Sequence, residues 1–228
     1  MKICGLERLS LVDFPGKACA VVFTYGCNFR CPFCHNSGLI LGGAHELTDE
    51  VFSYLEKRKG LLDAVCISGG EPTQMKDLED FIVKVRNMGY KIKLDTNGTN
   101  PDVLERLIEK NLLDYVAMDI KNSPSKYAET AGISSVDIEK VKRSKELLMS
   151  SGIDYEFRTT LVSNFHTMDS ILEMGEFIRG AKKLYLQRFV SSQGCMKDGL
   201  GAVSIEEAKK MQEKLSSFVE SVSLRGYV

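Results

Sequence analysis

Cys19-Ala20-Val21-Val22-Phe23-Thr24-Tyr25-Gly26-Cys27-Asn28-Phe29-Arg30-Cys31-Pro32-Phe33-Cys34 begins as an unbroken apolar run and ends as a loop carrying three thiols. An apolar run without polar alternation reads as a parallel strand covered on both faces. In the loop, three and then two residues separate Cys27, Cys31 and Cys34, so one loop can wrap a metal or a cluster. A closed zinc site needs four ligands. His35 follows Cys34 directly, too close to bind the same metal, and no other cysteine pair lies nearby. The donor set therefore points to an iron–sulfur cluster, which favours grouped thiolates; a four-iron cluster held by three of them keeps one iron open.

Further short β-branched or aliphatic runs, several of them nearly continuous apolar ones, lie at Ala64–Ser68, Lys91–Asp95, Tyr115–Ile120, Tyr155–Leu161 and Lys183–Phe189, with amphipathic stretches between. Helix starts are marked by Thr48 before Asp49-Glu50, by Asn100-Pro101 and by the capping box Ser204 with Glu207. Gly60, Gly89, Gly152 and Gly180 mark stops. Six βα units in succession require a parallel sheet with right-handed crossovers. A complete eight-unit barrel takes ~250 residues. This chain has 228 and spends part of them before Cys19 and in the cysteine loop, so six units fit. The expectation is an α/β chain forming a partial, open (β/α)6 barrel of parallel strands, one domain over residues 1–228. A doubly wound sheet is the weaker alternative, because no Gly-x-Gly-x-x-Gly turn follows the first strand.

Composition excludes several classes of function. Thirty basic and thirty-one acidic residues leave a net charge of −1, which argues against a nucleic-acid binder. No apolar run approaches the ~20 residues that cross a bilayer, and the amino terminus has no signal-peptide core, so no membrane partner is expected. The expected location is the cytoplasm, where thiols stay reduced. Seven cysteines, three of them within eight positions, argue for ligation over a disulfide framework.

Polar residues cluster at the strand ends. They comprise Ser68-Gly69-Gly70-Glu71-Pro72, Asp95-Thr96-Asn97-Gly98, Asp119-Ile120-Lys121, Arg158-Thr159-Thr160 and Gln187-Arg188. Each segment taken alone is an ordinary turn or a local charge pair. In a parallel barrel, however, all of them reach the carboxyl-terminal rim, where barrel active sites are built. Polar groups within apolar strands are costly unless they have partners or ligands. One shared site explains them together.

The cysteine loop, with Phe33 in its aromatic position, resembles the Cys-x-x-x-Cys-x-aromatic-Cys signature of the radical S-adenosylmethionine superfamily. More narrowly, the chain resembles activating enzymes of glycyl-radical enzymes. That likeness is carried by Ser10–Gly16, Thr24–Asn36, Leu94–Gly98, Met118–Lys121 and Glu156–Thr160, and its nearest branch is the anaerobic ribonucleoside-triphosphate reductase activating protein family. The resemblance implies one 4Fe-4S cluster on Cys27, Cys31 and Cys34, these three also being the catalytic centre, with S-adenosyl-L-methionine on the open iron. Phe33 and Asn36 would line the adenosine side, while Ser68, Gly69, Gly70 and Glu71 would hold the methionyl group. Asp95 and Asp119 resemble carboxylates that bind a monovalent cation. Asn97 joins the cofactor-binding set, and Lys121 would face the cofactor carboxylate. Arg158 would touch cofactor or peptide, and Gln187 the ribose, where pyruvate formate-lyase activating enzyme has a histidine. The implied partners are a glycyl radical enzyme, foremost anaerobic ribonucleotide reductase, and a reductant such as flavodoxin or ferredoxin.

The other candidates have plainer readings. Cys4, Cys19 and Cys66 read as core thiols, Cys195 as an extra thiol near the mouth, and His45 and His166 as surface residues. Two competing functions stay open on sequence alone. One is a radical enzyme acting on a small molecule, as 7-carboxy-7-deazaguanine synthase does. The other is an iron–sulfur electron carrier, which would leave Gly69-Gly70-Glu71, Asp95, Asp119 and Lys121 without a task.

Overall fold

Eight strands join in sequence order into one sheet in the computed structural model, which describes residues 1–41, 46–192 and 194–227. They are β1 (Ile3–Ser10), β2 (Cys19–Thr24), β3 (Ala64–Gly69), β4 (Lys91–Thr96), β5 (Tyr115–Asp119), β6 (Asp154–Leu161), β7 (Lys183–Arg188) and β8 (Ser221–Arg225). Strands β2 to β8 are parallel, and β1 lies antiparallel on the edge beside β2. The six strands expected from sequence are β2 to β7, each within a residue or so of its expected ends. Between them and before β8 lie α1 (Ser37–Leu41) and α2 (Thr48–Lys57), then α3 (Leu78–Asn87) and α4 (Pro101–Glu109). The pair α5 (Tyr127–Ala131) and α6 (Ile138–Ser150) follows, then α7 (Met168–Phe177) and α8 (Ile205–Leu215). Six βα units thus form an open, partial barrel, extended by an edge strand at each end that sequence reading did not identify.

Strand alternation divides the core in two. Ala20, Val22, Val65, Ile67, Ile92, Leu94, Val116 and Met118 face the helices and join the large apolar cluster. The opposite faces of β2, β3 and β5 contribute Cys19, Val21, Ala64, Cys66 and Tyr115 to a smaller cluster closed by Phe14. Phe14 comes from the β1–β2 connection and packs on Tyr115 with ring centres 5.8 Å apart. Cys19 and Cys66 are buried core thiols, while Cys4 is half-buried on β1 and donates weakly to the Phe23 carbonyl.

Local expectations are met unevenly. The Ser204–Glu207 capping box opens α8. Helix α2 starts at Thr48, but the Thr48 hydroxyl donates to the Met1 carbonyl at 2.7 Å and tethers the amino terminus. Asn100 precedes α4, yet its amide donates to the Thr73 hydroxyl at 2.9 Å, which draws it into the site described below. Among the described residues no helix is long and apolar enough to cross a membrane.

Candidate active site

The cysteine loop leaves β2 and is pinned on three sides. The Arg30 amide donates to the Ala131 carbonyl, the Lys197 amide to the Pro32 carbonyl and the Cys34 amide to the Cys31 carbonyl. Arg30 folds its guanidinium back onto the carbonyls of Cys27 and Phe29. Phe29 and Phe33 anchor the loop edge-on against Tyr127 and at a tilt against Phe165. Gly132, at φ +69°, lies so close beneath that a Cβ would sit 2.0 Å from the Arg30 carbonyl oxygen.

The glycines ending β3 have a similar packing role. A Cβ on Gly69 would fall 2.3 Å from the Thr24 nitrogen, and one on Gly70 would fall 1.8 Å from the Gly26 oxygen. The absent side chains let the β3 end press on the stem of the cysteine loop, where Gly70 and Glu71 amides donate to Thr24 and Gly26 carbonyls. Sequence reading gave these glycines to ligand approach; the requirement arises first from the chain's own backbone. Glu71, only 1% exposed, completes the joint. One of its carboxylate oxygens accepts from Thr73 and from the Thr96 hydroxyl, and the other from the Asn97 amide at 2.6 Å. Burial raises the Glu71 carboxyl and these donors pull it back down, with burial prevailing.

The residues singled out from sequence surround one half-open cavity of about 470 Å³. Cys27, Phe33, Cys31, Cys34 and Asn36 enter from the loop, and Ser68 to Glu71 from the end of β3. Asp95 and Asn97 come from β4 and the residues just beyond it, Asp119 and Lys121 from β5 and beyond, Arg158 from β6 and Gln187 from β7. Asn36 donates to the Gly69 carbonyl at 3.3 Å, and Asn97 donates to Asn28 at 2.8 Å. Asp13, His35, Thr96, Thr160 and Arg188 also line the cavity and were missed. The signal for Thr96, Thr160 and Arg188 was available, because each sits in a polar strand-end segment already noted.

Below the cavity the inner wall is ionic. Lys93 donates to one Asp95 oxygen at 2.6 Å. Ser68 and Arg158 donate to the other at 3.0 and 3.1 Å. Arg158 also donates from Nε to Asp119 at 3.0 Å, and Lys121 takes the second Asp119 oxygen at 2.8 Å. Register explains the bridge. Arg158 is level with Asp119, and the small Ala117, paired with Asp95, leaves room for the guanidinium to cross β5. Burial alone would raise the Asp95 carboxyl, but Arg158 and Lys93 outweigh it and hold it at about 2. Asp119 is likewise held low, by Lys121 and Arg158 against burial. Lys93, 2% exposed, was not singled out from sequence; it stands two residues before Asp95 and so shares its face of the strand.

His166 is a correction. It is 3% exposed, with Nε2 donating to the Lys121 carbonyl at 2.9 Å and Nδ1 accepting from the Val162 amide at 3.1 Å. Burial lowers its pKa, which keeps it neutral in that role. His45 lies outside the described residues. Cys195 stands beside the mouth, 3.8 Å from the Ser192 hydroxyl, and does not line the cavity.

The thiols suit a cluster. Burial pushes Cys27 up to about 11 and raises Cys31 and Cys34, so iron must displace their protons as it binds. Among the described residues, no three His, Cys, Asp or Glu side chains are gathered for a single metal ion. Cys27, Cys31 and Cys34 line the same cavity, and grouped thiolates are the donor set an iron–sulfur cluster takes.

Comparison with known proteins gives consistent results. Residues 21–178 match the family model described as the Radical SAM superfamily. A Methanocaldococcus jannaschii protein assigned as a glycyl-radical enzyme activating enzyme is 35% identical over 192 residues, covering 82% of this chain and 79% of its own. The pyruvate formate-lyase-activating enzyme of Listeria monocytogenes is 30% identical over 161 residues, 64% of either chain. In fold, Streptococcus suis SuiB bound to its precursor peptide SuiA superposes with a TM-score of 0.71 at 14% identity. That match covers 90% of this chain and about half, 48%, of SuiB.

Proposed function

This chain belongs to the radical SAM superfamily, among its glycyl-radical enzyme activating enzymes, and from that premise we propose that it activates a glycyl radical enzyme, anaerobic ribonucleoside-triphosphate reductase foremost. A reduced 4Fe-4S cluster, when bound, supplies the electron that cleaves S-adenosylmethionine and gives the 5′-deoxyadenosyl radical, which takes a hydrogen from a glycine α-carbon. The observation that carries the reading is that three thiols and the polar ends of β3 to β7 line one and the same half-open cavity.

The chain's own residues divide the work. Cys27, Cys31 and Cys34 hold three irons and leave the fourth to the cofactor. The edge at Gly69 and Gly70, stiffened by Glu71, offers backbone groups to the methionyl ammonium. Lys121, steadied through its carbonyl by His166, and Arg158 give positive charge to the methionyl carboxylate. Phe33 and Asn36 flank the adenosine, and Gln187 is the ribose contact. The fixed charges in the wall stabilise the bound ligand without reorganising when it arrives. A glycine-bearing loop must enter from outside, and the cavity's open side gives it a path. The electron comes from a small carrier such as flavodoxin or ferredoxin, and the reducing cytoplasm is the setting.

The test is electron paramagnetic resonance on an anaerobic mixture of the reconstituted, reduced protein, S-adenosylmethionine and the anaerobic ribonucleotide reductase of the same source. A doublet on the reductase is expected. Its absence, with the cluster intact and 5′-deoxyadenosine produced, moves the assignment to another glycyl radical enzyme or to a small-molecule substrate.

A further inference from the structure

The two carboxylates that resemble a monovalent-cation site already have every oxygen engaged by a cation or hydroxyl of the chain. All four oxygens of Asp95 and Asp119 accept from the chain itself: Lys93 on one, Ser68 and Arg158 on the second, Arg158 on the third and Lys121 on the fourth. Three cations thus face two carboxylates; Glu156, the other carboxylate acting on Arg158, is paired with Arg225 and does not change that excess of one positive charge. A sodium or potassium ion would have to share oxygens with these donors and sit beside the cations already there, a repulsion that partial burial strengthens.

We propose that Lys93 and Arg158 replace the monovalent cation in this protein, so that its cofactor site is charge-complete without sodium or potassium. The inference rests on the S-adenosylmethionine reading of the cavity. Lys93 acts as a positioning residue. It lies below the cavity, touches Asp95 and Cys66, and works through Asp95 on Arg158. Lys121 remains available on the cavity side to meet an anionic ligand group. Its own carboxylate partner, Asp119, is shared with Arg158.

The experiment uses the reconstituted holoenzyme with tetramethylammonium as the sole monovalent cation, then with potassium or sodium at equal ionic strength. Affinity for S-adenosylmethionine and formation of 5′-deoxyadenosine are expected to change by less than about twofold, and a gain of about tenfold on adding either ion overturns the proposal. Rubidium-soaked crystals give a readout independent of activity. No anomalous peak is expected between Asp95 and Asp119, and a peak there overturns the proposal. The Lys93→Met variant should gain both a potassium requirement of at least about fivefold and a rubidium peak beside Asp95. If it folds, carries its cluster and remains indifferent to cations, Lys93 is not the substitute charge. If it does not fold, the wild-type arms decide alone. A holoenzyme that neither binds nor cleaves S-adenosylmethionine in any salt counts against the cofactor reading, and the rubidium arm still decides the cation question.

Discussion

The two walls of the cavity are held by opposite means. On the β2–β3 side the chain removes side chains: Gly69 and Gly70 let backbone rest on backbone, and the cysteine loop is fixed by amide–carbonyl bonds. On the β4–β6 side it adds charged ones, and Lys93, Asp95, Arg158, Asp119 and Lys121 form a continuous chain of ion pairs, buried at Lys93 and Asp95 and opening onto the cavity at Asp119 and Lys121. The difference matches what each wall must supply. A cluster needs three sulfur atoms at fixed positions, which short backbone contacts secure with little freedom. A charged cofactor needs preset electrostatics, which only buried ionised groups provide. Such groups persist because each has a partner; an unpaired charge there would shift its pKa or unfold the wall.

The comparison can be broken most sharply on the thiol side. Cys31→Ala should reduce iron content and 5′-deoxyadenosine formation to background together, measured by iron assay and chromatography. A variant that still made 5′-deoxyadenosine would remove the loop from the chemistry. Next in size is Arg158→Met, which leaves the buried Asp95 and the half-buried Asp119 with a lysine each and no bridge. Chemical denaturation of the cluster-free protein should show a loss of about 3–5 kcal/mol. A loss below about 1 kcal/mol, the range of an exposed pair, would show that water already reaches this wall.

Gly70→Ala tests the backbone wall. The new methyl group would overlap the Gly26 oxygen, and an expected cost of about 3 kcal/mol should come with reduced cluster occupancy. Gly152→Ala is the control. Its φ of +76° strains any side chain but nothing lies nearby, so about 1 kcal/mol should be lost with occupancy unchanged. Equal costs at the two positions would mean that the β3 end yields without disturbing the loop.

Below Gly70→Ala in size comes the acid sensitivity from Asp95. Its folded pKa of about 2 lies below the usual 3.8, so its contribution is full above pH 4 and is lost as pH falls from about 4 to about 2. The corresponding stability, about 2 kcal/mol, should vanish from that window in Asp95→Asn, read as the difference between unfolding curves at several pH values. A wild-type acid profile that the substitution leaves unaltered would assign the acid sensitivity to other carboxylates.

Strands β2, β3 and β5 were legible because each is buried on both faces and reads as an apolar run. The edge strands were not. In β1, Glu7, Arg8 and Leu9 are exposed, and β8, after the last helix, has Ser221 exposed and its other four residues half-buried. With one neighbour instead of two, an edge strand needs less apolar sequence. Site residues were recognised where polarity interrupted an apolar strand, as at Asp95 and Arg158. Lys93 escaped because Lys91-Ile92-Lys93 alternates like a half-exposed strand; only Lys91 is exposed. His166 escaped because a histidine in a polar loop carries no mark of its burial.

Sequence alone determined the kind of chemistry available. Thiol spacing and strand-end polarity are local properties, readable wherever the covalent chain sets the distance between groups. Tertiary structure decided how those groups are engaged: that Gly70 serves the backbone before any ligand, that His166 holds Lys121, and that Asp95 and Asp119 have their charge met from within. Those outcomes depend on strand register and on which face is buried. Both are set by packing between segments far apart in the chain, because low-dielectric surroundings make every buried polar group find its partner across that distance.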